Sequence, residues 1–360
     1  MVHLCDCEYA STFCVQLGVA LAKNALVLKG RKLAVVITLL LPSIVVVVLY
    51  ILIVSLVASN SAYERDSVEQ GVMAIGGGAL IAAGTIGQAA LLVNTVAMEK
   101  QSHLLSSLRL LSLWESVYWL SWWISVASIA VVGAGIALLL GYALDLRVYT
   151  QCDAWVLVLM HASYACAVTA AATVCAALFT SPMMVGLIVF VCLATTIGFA
   201  FFASLGPGVL GLLANFKYIW CTFGFALSPV YHFIGLYVDV AGHVNSGARY
   251  TWSALEIADD VTQATFLLPT QSYDATPFVG WKALLYMGAS WPLYLVAAWC
   301  VASLRLLGTF LCAVATASRG CLSHLHACSL SRPCLCIYDT VRVPARLAFA
   351  PASCARLCNG

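Results

Sequence analysis

Long charge-free apolar runs alternate along the chain with short polar segments, and the length of the runs decides the class of fold. Crossing about 30 Å of hydrocarbon takes about 20 mostly apolar residues. Six runs reach that length: 33–57, 72–98, 117–142, 154–178, 183–203 and 281–304. Helices satisfy their own backbone hydrogen bonds in lipid, so the pattern predicts an all-α polytopic membrane protein built as a six-span helical bundle. A further apolar stretch, 205–238, is interrupted by Gly206, Pro207, Gly208, Lys217 and the Ser228-Pro229 pair. These breaks predict two short helices of an outer re-entrant hairpin, followed by an exposed loop that carries Trp252.

Finer patterning adds detail to several elements. Residues 15–32 repeat apolar positions at helical spacing (Val15, Val19, Ala22, Leu26), and Lys23, Asn24, Lys29, Arg31 and Lys32 are placed to meet lipid head groups. The expectation is an amphipathic helix lying in the inner interface. Pro42 and Pro292 fall inside the first and last spans, where each removes one backbone hydrogen bond and can bend its helix. The second span carries a small-residue stripe, Ala79, Ala83 and Gly87, that permits close helix contact. Its Gln88 and Asn94 are expected to face protein and to bond across helices. His161 is read as a hydrogen-bonded packing residue of its span.

Composition agrees with the pattern: 63% of the 360 residues are hydrophobic, 9% are charged, and the mean hydropathy is +0.98. Charge then orients the bundle, because short cytoplasmic loops collect Lys and Arg. With both termini cytoplasmic, the inner segments hold 12 of the 17 Lys and Arg, and the outer segments hold 10 of the 15 acids. The amino terminus has acids where a signal peptide needs positive charge, so the first span is expected to serve as the targeting signal. The 16 cysteines are scattered, which argues against a disulfide scaffold. The span centres lack Asp, Glu, Lys and Arg, unlike ion-coupled carriers. No paired carboxylates, HExxH or Ser/His constellation marks an intramembrane enzyme. Cys321, His324, His326 and Cys328 have zinc-compatible chemistry, but their spacing fits no common site, so no metal is expected.

One polar stretch stands out, "MEKQSHLLSSLRLLSLWESVYWLSWW", residues 98–123. Leu104, Leu108 and Leu111, with Leu105 beside them, give the segment after Glu99 an apolar face, and its charged groups are expected to look into the cytosol. Such a helix can pass a push from a soluble partner into two adjoining spans. Glu99, Lys100, Leu104, Arg109, Leu113, Glu115, Tyr118, Trp119 and Trp122 are the candidate coupling residues.

This run resembles the inner coupling segment of ABC transporters of the A subfamily, whose membrane domain is of the type-2 exporter class. The likeness rests on Glu99-Lys100, on Leu104, Arg109 and Leu113, and on Tyr118-Trp119-Leu120-Ser121-Trp122. Gln101 stands where the family often has a second acid, and Ser112 where Gly is usual. Gln16 and Lys23-Asn24 are similar to the family's entry helix, Ser228-Pro229 to its outer hairpin, and Tyr294 and Trp299 to its last span. The resemblance implies ATP-driven movement of lipids or other amphiphiles, a second transmembrane half, and a nucleotide-binding domain using ATP and Mg. None of the six lysines follows a glycine, so this chain contains no Walker loop. It is expected to have no enzyme activity, cofactor or nucleic-acid partner of its own. Three regions are expected: a cytoplasmic N-terminus with the interfacial helix (1–32), the six-span domain (33–304), and a disordered Cys-rich cytoplasmic tail (305–360). Either a separate ATPase chain docks on the coupling segment, or the sequence is truncated after about 304. The competing reading is a non-transporting membrane scaffold or remnant.

Overall fold

A computed structural model describes residues 2–59, 68–69, 72–110, 113–179, 181–204, 227–245, 247–255 and 280–328. Ten α-helices run through these segments: α1 (Val2–Gly30), α2 (Lys32–Ser59), α3 (Gly78–Gln101), α4 (Leu104–Leu110), α5 (Glu115–Ala143), α6 (Arg147–Thr150), α7 (Ala154–Leu178), α8 (Pro182–Ser204), α9 (Pro229–Asn245) and α10 (Gly280–Cys328). A π-helical turn, Met73–Gly77, leads into α3, and a 3-10 turn covers Trp252–Leu255. No strand occurs among the described residues, only one bridge between Cys152 and Tyr250. The protein is an all-α polytopic membrane protein, as the runs of apolar residues predicted.

Among the described residues, six helices are long and apolar enough to cross a bilayer: Thr12–Gly30, Lys32–Ala58, Gly78–Gln101, Glu115–Ala143, Ala154–Leu178 and Gly280–Leu304. Five of them are expected spans. The sixth is the segment expected to lie in the interface; α8, at the place of the remaining expected span, is a 23-residue helix of which Gly186–Gly198 is described throughout. The last helix also continues past 304 to Cys328. Side chains beyond Leu304, including Cys321, His324, His326 and Cys328, lie outside the described residues.

The centre of the fold is α3, which packs on α2, α5, α7, α8 and α9. Its small residues set how close α2 comes. Gly84 lies against the Pro42 backbone, where an added Cβ would be 3.3 Å from Cα, and Gly87 receives Leu41. Pro42 cannot donate to the Thr38 carbonyl four residues earlier, and Gln88 Nε2 donates to that carbonyl instead, at 3.0 Å. Gly133 of α5 closes the junction. A Cβ there would fall 2.4 Å from Gln88 Nε2 and 2.7 Å from the Leu39 carbonyl oxygen. Gln88 thus bonds across helices as expected, but Asn94 does not face protein. It is exposed on the same stripe of α3 as Leu80, Met98 and Gln101, because residues about seven apart share a helix face.

At one end of the bundle, Tyr250 fastens the loop between α5 and α7. Its N–H donates to the Gln151 carbonyl at 3.0 Å, and its carbonyl accepts from Asp153 N–H at 2.9 Å. Its hydroxyl donates to Asp239 Oδ2 at 2.6 Å. The first residue of α10, Gly280, packs against the same Tyr250. From this Tyr250 end, α9 reaches down into the bundle. Tyr237 lies over Gly77 and Gly78, and Phe233 stacks on Tyr164 at 4.2 Å and meets His161 edge-on at 5.3 Å. Pro229 reaches the level of Ala89 to Val93. α9 occupies the place of one arm of the expected re-entrant hairpin; residues 205–226, expected to form the other, lie outside the described residues. His161 bonds through Nδ1 to the Leu157 carbonyl at 2.9 Å, which suits a packing role.

Candidate coupling site

At the opposite end, α3 stops and the chain reverses. Ser102 N–H bonds to the Met98 carbonyl at 3.0 Å and His103 N–H to that of Lys100 at 3.2 Å. His103 then takes the left-handed conformation, with φ 57°, which commonly ends helices. The seven-residue helix α4 follows directly. Leu105 is buried and Leu108 and Leu113 pack against the core. Leu104 is 38% exposed, and Gln101, Ser102, His103 and Ser107 are also exposed. The apolar face of this short helix is therefore centred on Leu105 and Leu108 rather than on Leu104. The side chains of Arg109 and Leu111 lie outside the described residues, and Glu115 is half-buried.

Glu99 and Lys100 do not look into the cytosol, contrary to expectation. Glu99 is buried and its carboxylate accepts three hydrogen bonds. Lys23 Nζ of α1 donates to Oε1 at 2.7 Å. Tyr118 hydroxyl and Trp122 Nε1, both on α5, donate to Oε2 at 2.8 and 3.1 Å. The four-residue spacing of Tyr118 and Trp122 puts both donors on one helix face. The ammonium of Lys23 also lies over both rings, 5.3 and 4.9 Å from their centroids, a cation–π arrangement. Burying a carboxylate is costly unless it is paired and hydrogen-bonded, and here every partner is supplied.

The next residue points elsewhere, since consecutive positions on a helix diverge by about 100° at 3.6 residues per turn. Lys100 Nζ donates to the carbonyls of Ala176, Ala177 and Phe179. These carbonyls lie in the last turn of α7 and just past it, where a cation complements the helix dipole. Lys100 lies over the Trp119 ring at 5.5 Å as well. One Glu-Lys pair thus joins α3 to α1, α5 and α7.

Contacts along α1 overturn its expected orientation. Asn24 is fully buried and its Nδ2 donates to Ser121 Oγ at 3.1 Å, while Gln16 Oε1 accepts Trp114 N–H at 3.2 Å. Residues 16 and 24 of α1 thus meet 114 and 121 of α5, so the two helices run alongside in the same sense. Arg31 donates to Thr95 Oγ1 at 3.2 Å. Of the groups expected at lipid head groups, Lys23, Asn24 and Arg31 bond to protein and Lys29 and Lys32 are exposed, whereas Val15, Val19 and Leu26 are about two-thirds exposed. The reason is energetic: the bundle offers a carboxylate to Lys23 and serine hydroxyls to the Asn24 amide N–H, though Asn24 Oδ1 stays buried without a partner among the described residues, and the apolar stripe loses nothing by facing lipid.

A sequence model of the ABC-2 family transporter proteins matches residues 59–300. The chain belongs to the ABC-2 family. A search of curated proteins finds no match. The matched region of this ABC-2 membrane domain contains Glu99, Lys100, α4 and the donors on α5. Lys23 and Asn24 lie ahead of it, so the latch joins matched and unmatched parts of the chain. Among the described residues no cluster of three or more His, Cys, Asp or Glu side chains is arranged to hold a metal ion. The structure brings the sequence candidates Glu99, Lys100, Tyr118, Trp119 and Trp122 together, and adds Lys23 and the α7 carbonyls as partners that the sequence did not point to. The signal for Lys23 and Asn24 was present as polar residues on an otherwise apolar helix and in their likeness to the family's entry helix, but neither pointed to Glu99 or Ser121.

Proposed function

We propose that this chain is the transmembrane part of an A-subfamily ABC transporter that moves lipids or other amphiphiles. ATP hydrolysis, with Mg, takes place in a nucleotide-binding domain or ATPase chain that is not in this sequence. A second transmembrane half completes the pathway, and the Glu99 end and both termini face the cytoplasm. The observation that carries this reading is the Glu99-Lys100 junction. It ties the start of a short, part-exposed helix to α1, α5 and α7, so that a force on α4 is shared by four helices rather than absorbed by a loop. Such a mechanical link is what an ATPase without membrane spans requires of its membrane partner.

Tagged full-length chain, recovered from membranes with its associated proteins, tests the reading. Vanadate-sensitive ATPase activity is expected to accompany it. Arg109→Ala and Leu104→Ala are expected to lower that activity at least several-fold while membrane insertion is unchanged. ATPase activity that is present but unaffected by either substitution would refute the coupling role. Absence of any associated ATPase would favour a non-transporting scaffold.

A further inference from the structure

A cleft of about 300 Å³ opens at the side of the bundle, with exposed Val191 and Thr195 at its rim. Both α7 and α8 pack on α3, and the cleft lies between them. Ala89 and Ala90 of α3 and Ala171 and Ala172 of α7 form much of its wall, Pro229 of the re-entrant helix closes it, and Tyr294 of α10 borders it. Alanine is too short to fill the space between neighbouring helices, so these four small side chains leave room for the cleft. Its lining on α3 runs from Ile86 to Val93, about 10 Å along the helix axis at 1.5 Å per residue.

The chemistry of the lining is uniform. None of the lining residues carries a charge. Each of its three hydroxyls is engaged with backbone: Thr195 donates to the Val191 carbonyl at 2.8 Å, Ser228 Oγ accepts Tyr231 N–H at 3.4 Å, and Tyr294 donates to the Leu227 carbonyl. The cleft therefore presents mainly methyl, methylene and ring carbon to an occupant, together with the weakly polar thiols of Cys175 and Cys192. An uncharged lining of this kind is complementary to hydrocarbon and penalises any polar group that enters it. Its volume is at the small end of ligand sites, which run from about 300 to 1,000 Å³, and so suits one chain rather than a two-chain lipid.

We propose that the cleft between α7 and α8 binds a single hydrocarbon chain of a membrane amphiphile, with the polar head outside. This deepens the amphiphile reading above and rests on it for transport, though not for binding. Recognition at this site then depends on chain number and length rather than on the head group.

The test uses full-length chain in phosphatidylcholine nanodiscs and two photoreactive probes: a fatty acid and a two-chain phosphatidylcholine, each carrying a diazirine in its chain. Mapping of adducts is expected to place the fatty acid on 168–175 and 188–195, saturably, with competition by unlabelled lysophosphatidylcholine. The two-chain probe is expected to label these segments at least fivefold less. Ala90→Phe and Ala172→Phe are expected to reduce fatty-acid adducts there by fivefold or more, leaving those on the exposed face of α2 unchanged. Cleft labelling of wild-type chain that is non-saturable, or no greater than on α2, would overturn the proposal whether or not the variants fold. Equal saturable labelling by both probes would overturn the single-chain specificity. No ATPase enters the readout, so failure here is distinct from failure of the coupling reading.

Discussion

Glu99 shows how one side chain can be both a liability and a fastener. Its carboxylate is 6% exposed and its partner Lys23 23% exposed, so removing either charge strands the other in a partly desolvated site. Glu99→Gln is expected to destabilise the fold by about 3 kcal/mol, the lower end for a broken buried pair because Lys23 keeps some contact with water. The double variant Glu99→Gln with Lys23→Met is expected to recover part of that loss in thermal unfolding in detergent. A double variant no better than Glu99→Gln would mean that Lys23 contributes by packing alone. Cys152, in the loop before α7, makes a second case. Burial, reinforced by the Asp153 carboxylate, pushes its thiol up to about 12 from the ordinary 9.0. The folded chain therefore keeps this proton when the unfolded chain has lost it, and stability falls as pH rises from about 9 towards 12. Native protein at pH 8 is expected to leave Cys152 unalkylated by iodoacetamide while the exposed Cys14 reacts; equal rates would contradict the burial.

Among elements, the α2–α3–α5 junction explains how a proline is tolerated in the middle of a span. In lipid the Thr38 carbonyl freed by Pro42 has no water to bond, and Gln88 replaces the missing donor. Gln88→Leu is expected to cost about 1–3 kcal/mol, the penalty of a buried acceptor left unpaired. Adding Pro42→Ala to that variant restores a backbone N–H at the right position and is expected to return much of the loss. Thermal unfolding of the two variants decides the point, and a double variant less stable than Gln88→Leu would refute it. Apolar run length made these helices legible in sequence, and Pro42 and Gln88 each stood out as exceptions within a run. That one answers the other was not legible, since they are 46 positions apart and meet only when glycines bring α2, α3 and α5 together.

For the whole molecule, the structure gives two polar ends, the Glu99 latch and the Tyr250 clasp, joined by apolar helices. Reading the Glu99 end as cytoplasmic makes a direct prediction. A cysteine placed at exposed Ser107 is expected to react with membrane-impermeant maleimide only from the cytoplasmic side, and one at exposed Arg249 only from the other. The reverse pattern would invert the topology, and labelling of both from one side would break the bundle assignment. The re-entrant helix α9 gives the molecule its internal shape as well. By descending from the Tyr250 end to Pro229 it closes the cleft that Ala89, Ala90, Ala171 and Ala172 leave open.

The sequence by itself determined the helical class and most of the spans, because hydrocarbon thickness and backbone satisfaction act on contiguous stretches of chain, and its motifs pointed to an ABC transporter membrane domain. Which way polar side chains point was decided only by tertiary structure. Read alone, a helix with Lys23 and Asn24 beside an apolar stripe belongs with its charges in the head groups, and Glu99-Lys100 belongs in the cytosol. In the fold, Lys23 and Glu99 satisfy each other beneath two aromatic rings, and Lys100 caps α7. A charge chooses the partner that best replaces its water, and that partner can lie 76 residues away.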